Sequence, residues 1–119
     1  MATYSKIPLS GSVDGRMILV TTTATSGTVV HTATVAGSAT NGFDVVWLWA
    51  QNNHTADVLL TINYGGSTSP NDLVKYTVPF QAGLKIVLPG LLIRNSLVIS
   101  AYAATPNVVS LSGFVDRGV

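Results

Sequence analysis

The chain has 119 residues, no cysteine, a formal net charge of +1 and only 9% charged residues. This length suits one domain with one core, and the absence of cysteine excludes disulfides and thiolate metal sites. The basic residues are scattered singly, so we expect no nucleic-acid partner. Apolar runs are far shorter than the roughly 20 residues of a membrane-spanning helix, and the N-terminus lacks a signal-peptide pattern, so we expect no membrane partner.

Residues that favour extended structure dominate the chain, and turn signals interrupt them at short intervals. The connections are too short for crossover helices, which excludes parallel βαβ units. We therefore predict an all-β, antiparallel, jelly-roll-like β-sandwich of eight to nine strands that forms a single domain over residues 1–119. The predicted strands are Tyr4 to Leu9, Arg16 to Thr23, Thr28 to Val35, Phe43 to Gln51, Asp57 to Tyr64, Leu73 to Phe80, Leu84 to Leu88, Leu97 to Ala103, and Val108 to Asp116.

The first segment of the chain, residues 1–14, contains small and apolar residues before the first clear turn. Exposed termini of this kind become ordered when a partner binds them. We therefore predict an extended N-terminal arm, with Ile7 and Leu9 in contact with a neighbouring subunit. Further along, Pro89-Gly90 is interpreted as a turn that ends the seventh strand.

The fourth predicted strand is apolar on both of its sides, although a half-exposed strand should alternate. We expect the side with the two tryptophans to fill the core, because two tryptophans on one strand face are typical of packing. The other side then lies against a second copy of the chain. The core side is Phe43, Val45, Trp47 and Trp49, and the partner side is Val46, Leu48 and Ala50.

Residues with catalytic or metal-binding chemistry are few. His31 and His54 lie in different segments without the spacing of metal ligands, and structural roles are expected for both. The chain has no Glu and no nucleophile motif such as Gly-x-Ser-x-Gly. We therefore predict a non-enzymatic protein without a cofactor or metal.

The aromatic and amide residues of the middle segment suggest one alternative, a binding platform for a sugar. In this interpretation Trp49, Asn52 and Asp57 form the site, and Asn53 could replace Asn52 as a hydrogen-bonding partner. Further aromatic residues that could join the platform are Trp47, Tyr64 and Tyr76. Packing of Trp47 and Trp49 in the core is the competing interpretation, and we favour it.

A series of strand and turn sequences runs through residues 43–117: Trp47 to Asn52, Leu60 to Gly66, Gly83 to Leu91, Ile99 to Ala103, and Gly113 to Arg117. In strand order and turn placement this region resembles the jelly-roll-like capsid decoration, or cement, proteins of tailed bacteriophages. The resemblance implies a homotrimer on the exterior of a virion, made in the host cytoplasm, that bridges subunits of the major capsid protein. It implies no catalytic residues. A carbohydrate-binding or host-attachment module and a tail, baseplate or head-completion component are the alternatives.

Overall fold

The computed structural model describes residues 4–35 and 42–118. Within these ranges the protein contains strands and turns, and no helix there could cross a membrane. The strands are β1 (Tyr4–Pro8), β2 (Ile18–Leu19), β3 (Thr28–Thr32), β4 (Phe43–Asn52), β5 (Val58–Tyr64), β6 (Leu73–Val78), β7 (Lys85–Ile93), β8 (Val98–Ala103) and β9 (Val109–Gly118).

The strands form two antiparallel sheets, which confirms the predicted β-sandwich. Sheet A has the order β1-β9-β4-β7, with the short β2 also paired to β9, and sheet B has the order β3-β8-β5-β6. With β2 set aside, the paired strands are β5–β6, β4–β7, β3–β8 and β1–β9. Each pair encloses the previous one in sequence, as in one long hairpin. Rolling such a hairpin over itself produces the two Greek keys of a jelly roll.

The core between the sheets is built from aliphatic side chains. Every buried apolar residue in the described ranges is Leu, Ile, Val or Ala, and no aromatic residue is among them. The two sheets can therefore approach closely and pack in the manner of a β-sandwich. The largest of the fully buried apolar side chains are Leu9, Leu48, Leu60, Ile62, Leu88, Ile99 and Leu111.

The orientation of β4 is the reverse of the one predicted. Val46, Leu48 and Ala50 have no exposed surface and belong to the core, whereas Trp47 and Trp49 lie on the outer face of sheet A and are partly exposed. The alternation is strict over the whole strand. The prediction of two apolar faces was sound, but the tryptophans do not fill the core.

Two of the predicted strands differ most in length from those in the structure. The strand predicted after Arg16 is reduced to Ile18–Leu19, and β7 continues through Pro89 and Gly90 to Ile93. Pro89 is tolerated there because β7 is an edge strand, and Gly90, at φ +83°, is the extra residue of a bulge opposite β4.

Part of the segment predicted to be an N-terminal arm is a strand of the same sandwich. Residues 4–8 form β1, which pairs with β9 of the same chain, and Leu9 is buried in the core. Ile7 is partly buried against that core. Residues 1–3 lie outside the described part of the chain.

A close approach of β9 to β4 yields a testable prediction about stability. A Cβ at Gly113 would collide with the carbonyl oxygen of Trp47 and come within 3.1 Å of the Leu48 Cα. We expect Gly113→Ala to lower the free energy of unfolding by roughly 1–3 kcal/mol, because the strands must separate to admit the methyl group. Urea unfolding monitored by tryptophan fluorescence measures the change.

The matched control is Ser112→Ala, the neighbouring position on β9, whose side chain points out of the sandwich. We expect a change of at most about 0.5 kcal/mol there. Equal midpoints for the two variants would contradict the proposed close approach.

Candidate functional site

The outer face of sheet A carries three aromatic rings in mutual contact, those of Trp47, Trp49 and Phe114, which we call the aromatic face. Trp47 lies directly opposite Phe114 in the pairing of β4 with β9. The ring centroids are 6.0 to 6.5 Å apart, and the ring planes are inclined by 18° to 30°. Such contacts stabilise one another by about 0.5–1.5 kcal/mol per pair beyond area burial, so the cluster is an ordered surface.

Glycines on the neighbouring strands make room for these rings. A Cβ at Gly90 of β7 would lie 2.8 Å from Cζ2 of Trp47, so the indole covers the glycine backbone. Phe43 covers Gly118 in the same way and contacts Tyr4 edge to face, with centroids 5.9 Å apart. Aromatic rings that cover glycines in this way replace the missing cross-strand side chains.

The aromatic face has little charge around it. Among the outward-facing residues of β1, β4 and β9 the charged ones are Lys6 and Asp116, which lie opposite each other in the β1–β9 pairing. Lys6 Nζ lies 4.5 Å from the centroid of the Phe114 ring, a cation–π contact. Because the two charges have opposite signs, this face is close to neutral.

Apolar side chains continue from the aromatic face to the edge of sheet A, where β7 is the last strand. Trp49 pairs with Ile86 and Val45 with Leu92, so the two surfaces are continuous. We call this surface the β7 edge. Its exposed apolar residues are Leu84, Ile86 and Leu92, together with Leu91, which pairs with the inward-facing Val46, and 38% to 57% of their surface is accessible. An uncovered apolar edge of this length is a template for association.

Four of the five residues predicted to contact a partner are buried within their own chain. Val46, Leu48, Ala50 and Leu9 are buried in the core of their own chain, and Ile7 packs partly against it. The reason is the reversed orientation of β4: its aliphatic side faces sheet B. The apolar second face expected from the sequence does exist, but the tryptophans and Phe114 form it.

The predicted sugar platform is not assembled in the structure. Trp49 belongs to the aromatic face, whereas Tyr64 and Tyr76 lie on strands of sheet B and pack against the core. Asn52 is 1% exposed, and its amide group binds the backbone of its own loop and of β6. Asp57 accepts a hydrogen bond from the Phe80 N–H at 3.2 Å.

A buried polar network connects the two sheets near one end of the sandwich. Asp44 on β4 has no exposed surface and accepts two hydrogen bonds from Arg117 on β9, from Nε at 2.8 Å and from Nη2 at 3.0 Å. His31 on β3 lies 2.7 Å from the same carboxylate, and the Thr34 N–H donates to it at 3.1 Å. The carboxylate is therefore fully hydrogen-bonded, as burial requires.

A bulge in β3 brings His31 into this network. Val29 pairs with Ser100 and His31 with Ile99, so Val30 is the extra residue between them. Both Val30 and His31 consequently point into the interior, where a regular strand would have placed one of them outside. The sequence carries no simple signal for this bulge, so Asp44 was not predicted as the partner of His31.

The hydrogen bonds of His31 define its tautomer. The Ser10 N–H donates to Nδ1 at 3.0 Å, so Nδ1 is an acceptor and the ring hydrogen is on Nε2, which donates to Asp44. The ring is 1% exposed and both nitrogens are used. Although a buried Asp–His pair also occurs in hydrolases, this one joins the loop after β1 to β3, β4 and β9, which is a structural role. The described residues contain no group of three potential metal ligands.

The electrostatics of the network follow from its burial. Burial raises the pKa of Asp44, but hydrogen bonds from Arg117, His31 and the Thr34 N–H outweigh burial and leave the pKa below its ordinary value of 3.8. The hydrogen bond to Asp44 raises the pKa of Arg117. Burial, together with the negative charge of Asp44, raises the pKa of Tyr64 to about 12.

Comparisons with protein-family models, with curated proteins and with solved structures gave no match. The functional argument for this chain therefore depends on its own residues.

Removal of the negative charge in the network should destabilise the protein. We expect Asp44→Asn to lower the free energy of unfolding by about 3 kcal/mol, because Arg117 loses its counter-charge and an NH2 group replaces one of the two oxygens that accept from Arg117 and His31. The cost is at the low end for a broken buried pair since the Arg117 side chain is 34% exposed. Urea unfolding at neutral pH measures it. The control is Asp116→Asn on the outer face. If this variant lost as much free energy of unfolding as Asp44→Asn, a special role of Asp44 would be contradicted.

The lowered pKa of Asp44 also predicts how stability depends on pH. The unfolded chain binds this proton near pH 3.8, and the folded protein binds it only at lower pH. The contribution is therefore complete above the unfolded pKa and is lost as the pH falls through the folded pKa. We expect the stability difference between the wild type and Asp44→Asn to shrink as the pH falls below about 4. A difference that stays constant into acid would refute the assignment.

Proposed function

We propose that this protein is a non-enzymatic virion structural protein that binds the exterior of a phage capsid as a homotrimer and stabilises the shell by bridging major capsid subunits. The single observation that carries the proposal is the aromatic face on the outside of sheet A, which is partly exposed and continuous with the exposed aliphatic side chains of the β7 edge. Apolar patches beyond a few hundred Å² are uncommon on soluble monomers and mark sites of association. The jelly-roll order of the strands is also the fold that the resemblance to cement proteins implied.

Self-association is energetically accessible for such a surface. Burial of roughly 1,000 Å² of apolar area contributes about 25 kcal/mol before costs, and association costs about 4–15 kcal/mol in lost freedom of motion. The low charge of the face keeps the cost of removing water small, because Lys6 and Asp116 lie opposite each other at its margin.

We propose a closed ring of three subunits for this assembly. A twofold dimer needs one self-complementary patch, whereas a closed ring needs two different patches that meet head to tail. The aromatic face and the β7 edge are two such patches on neighbouring parts of sheet A. In the proposed trimer the aromatic face of one subunit packs against the β7 edge of the next.

The proposed effect on the capsid is thermodynamic. A trimer that contacts several capsid subunits at once gains affinity from multivalency. Because it binds the assembled lattice and not the separated subunits, it shifts the equilibrium towards the intact shell. The lattice contact uses a surface other than the one that joins the subunits of the trimer.

The trimer is tested with a charge placed in the aromatic face. We expect the wild type to have the mass of a trimer in native mass spectrometry and Trp49→Lys to dissociate, since a central aromatic contact contributes about 2 kcal/mol or more, about thirtyfold in affinity. Thr77→Lys, an exposed residue on β6 of sheet B, is the matched control. A monomeric wild type, or a trimeric Trp49→Lys variant with normal stability, would refute the proposed interface.

The capsid role is tested on particles of the virus that encodes the chain. We expect particles with the protein to release their contents at a higher temperature than particles that lack it. Equal release temperatures would exclude the cement function while leaving the trimer intact. Localisation of the protein to a tail or neck in a few copies, instead of many copies on the shell, would support the alternative of a tail or head-completion component.

A further inference from the structure

A cleft of about 420 Å³ opens on the side of sheet B, away from the aromatic face. Its floor is formed by strands β3, β5 and β8, and its walls by the chain before β3, the turn after β5 and the turn before β8. This volume is within the range of small-molecule sites. The lining residues are Ser26, Gly27, Val29, Asn63, Gly65, Gly66, Ser67, Ser96, Leu97, Val98 and Ser100.

Polar side chains on the floor of the cleft are held in one arrangement. Asn63 on β5 pairs with Ser100 on β8, and both side chains point out of the core. Asn63 Nδ2 donates to the Ser26 carbonyl and to Ser100 Oγ, each at 3.1 Å, and Ser100 Oγ donates to the same carbonyl at 2.6 Å. The amide of Asn63 is therefore fixed with both hydrogens in use.

The remaining atom of that amide has no partner. Asn63 is 3% exposed, and its Oδ1 is buried without a hydrogen bond. A buried acceptor left unpaired costs roughly 1–3 kcal/mol, and such groups in folded proteins call for an explanation. The other buried side-chain atom without a partner in the described ranges is the hydroxyl of Tyr64, which lines an adjoining cavity of about 340 Å³. The two residues are neighbours on β5, but Tyr64 packs against the core, so its hydroxyl is not part of the cleft floor.

The chemistry of the lining restricts the ligand. No lining residue is charged, so the cleft offers no counter-charge to a phosphate, a carboxylate or an ammonium group. Ser26, Ser67 and Ser96 contribute exposed hydroxyl groups, and Val29, Leu97 and Val98 contribute an apolar wall. A neutral ligand with hydroxyl groups on one side and C–H groups on the other matches this distribution.

We propose that the cleft binds one unit of a neutral carbohydrate, with Asn63 Oδ1 as the acceptor for a sugar hydroxyl. Because this oxygen is buried, the proposal includes a displacement of the exposed lining side chains that gives the sugar hydroxyl access to it. The cleft is on the opposite sheet from the aromatic face. The inference is therefore independent of the proposed capsid function, and either can fail alone.

The test is a titration of the isotope-labelled protein with glucose, galactose, mannose and N-acetylglucosamine. Binding is monitored through the amide chemical shifts in NMR spectra. We expect at least one sugar to bind saturably with a Kd of about 1 mM. The shifts should be confined to residues 26–29, 63–67 and 96–100. Glucuronate, which carries a carboxylate, should bind at least about tenfold more weakly than the best neutral sugar.

Two variants block the cleft at exposed rim positions, Ser67→Trp and Val29→Trp, and Thr55→Trp adds the same side chain at an exposed position outside it. We expect both rim variants to weaken sugar binding at least about tenfold, while Thr55→Trp leaves it unchanged and all three keep the wild-type unfolding midpoint.

Three results would each overturn the inference: no saturable shift with any of the four sugars, unchanged binding in both rim variants, or shifts centred on Trp47 and Trp49. The last result would assign sugar binding to the aromatic face. If one rim variant does not fold, the other rim variant alone is compared with Thr55→Trp.

Discussion

The buried hydrogen bonds of Asp44 require the aliphatic side of β4 to face sheet B, and the outer surface of sheet A follows from that orientation. Asp44 lies on the same side of the strand as Val46, Leu48 and Ala50, and its carboxylate is bound by His31 from sheet B and by Arg117 from sheet A. If β4 were turned over, Asp44 would lose these partners and the tryptophans would enter a core made only of aliphatic residues. The buried network therefore favours the observed orientation of β4 over the reversed one.

The same orientation creates the surface that the functional proposal uses. With the aliphatic side of β4 buried, the tryptophans stack with Phe114 outside, and Gly90 and Gly118 leave room for the rings. The result is an ordered apolar surface whose exposure to water is unfavourable. Sheet B differs: its outer side carries a polar, uncharged cleft around Asn63. The two faces of the sandwich thus differ in chemistry, with aromatic rings on one and an uncharged cleft with serine hydroxyl groups on the other.

Prediction from the sequence succeeded where a local pattern is sufficient. In β5, Val58, Leu60 and Ile62 alternate with more polar residues, and the strand was found within one residue of its predicted limits. Prediction failed where two apolar faces compete. In β4 the alternation of Trp47 and Leu48 shows that both sides are apolar, but it contains no information about which side meets the opposite sheet. Residue size misled the interpretation, because tryptophans are typical of cores.

The sequence by itself determined that the chain is an all-β sandwich with more apolar strand surface than one core requires, because strand propensity, turn residues and period-two patterns are local properties. Only the tertiary structure decided which surface is left over. Three features determine it: the β3 bulge that turns His31 inward, the hydrogen bonds of Asp44 with His31 and Arg117, which are 13 and 73 positions away, and the glycines opposite the aromatic rings. These are contacts between distant segments, and the order of residues along the chain does not specify them until the strands have paired.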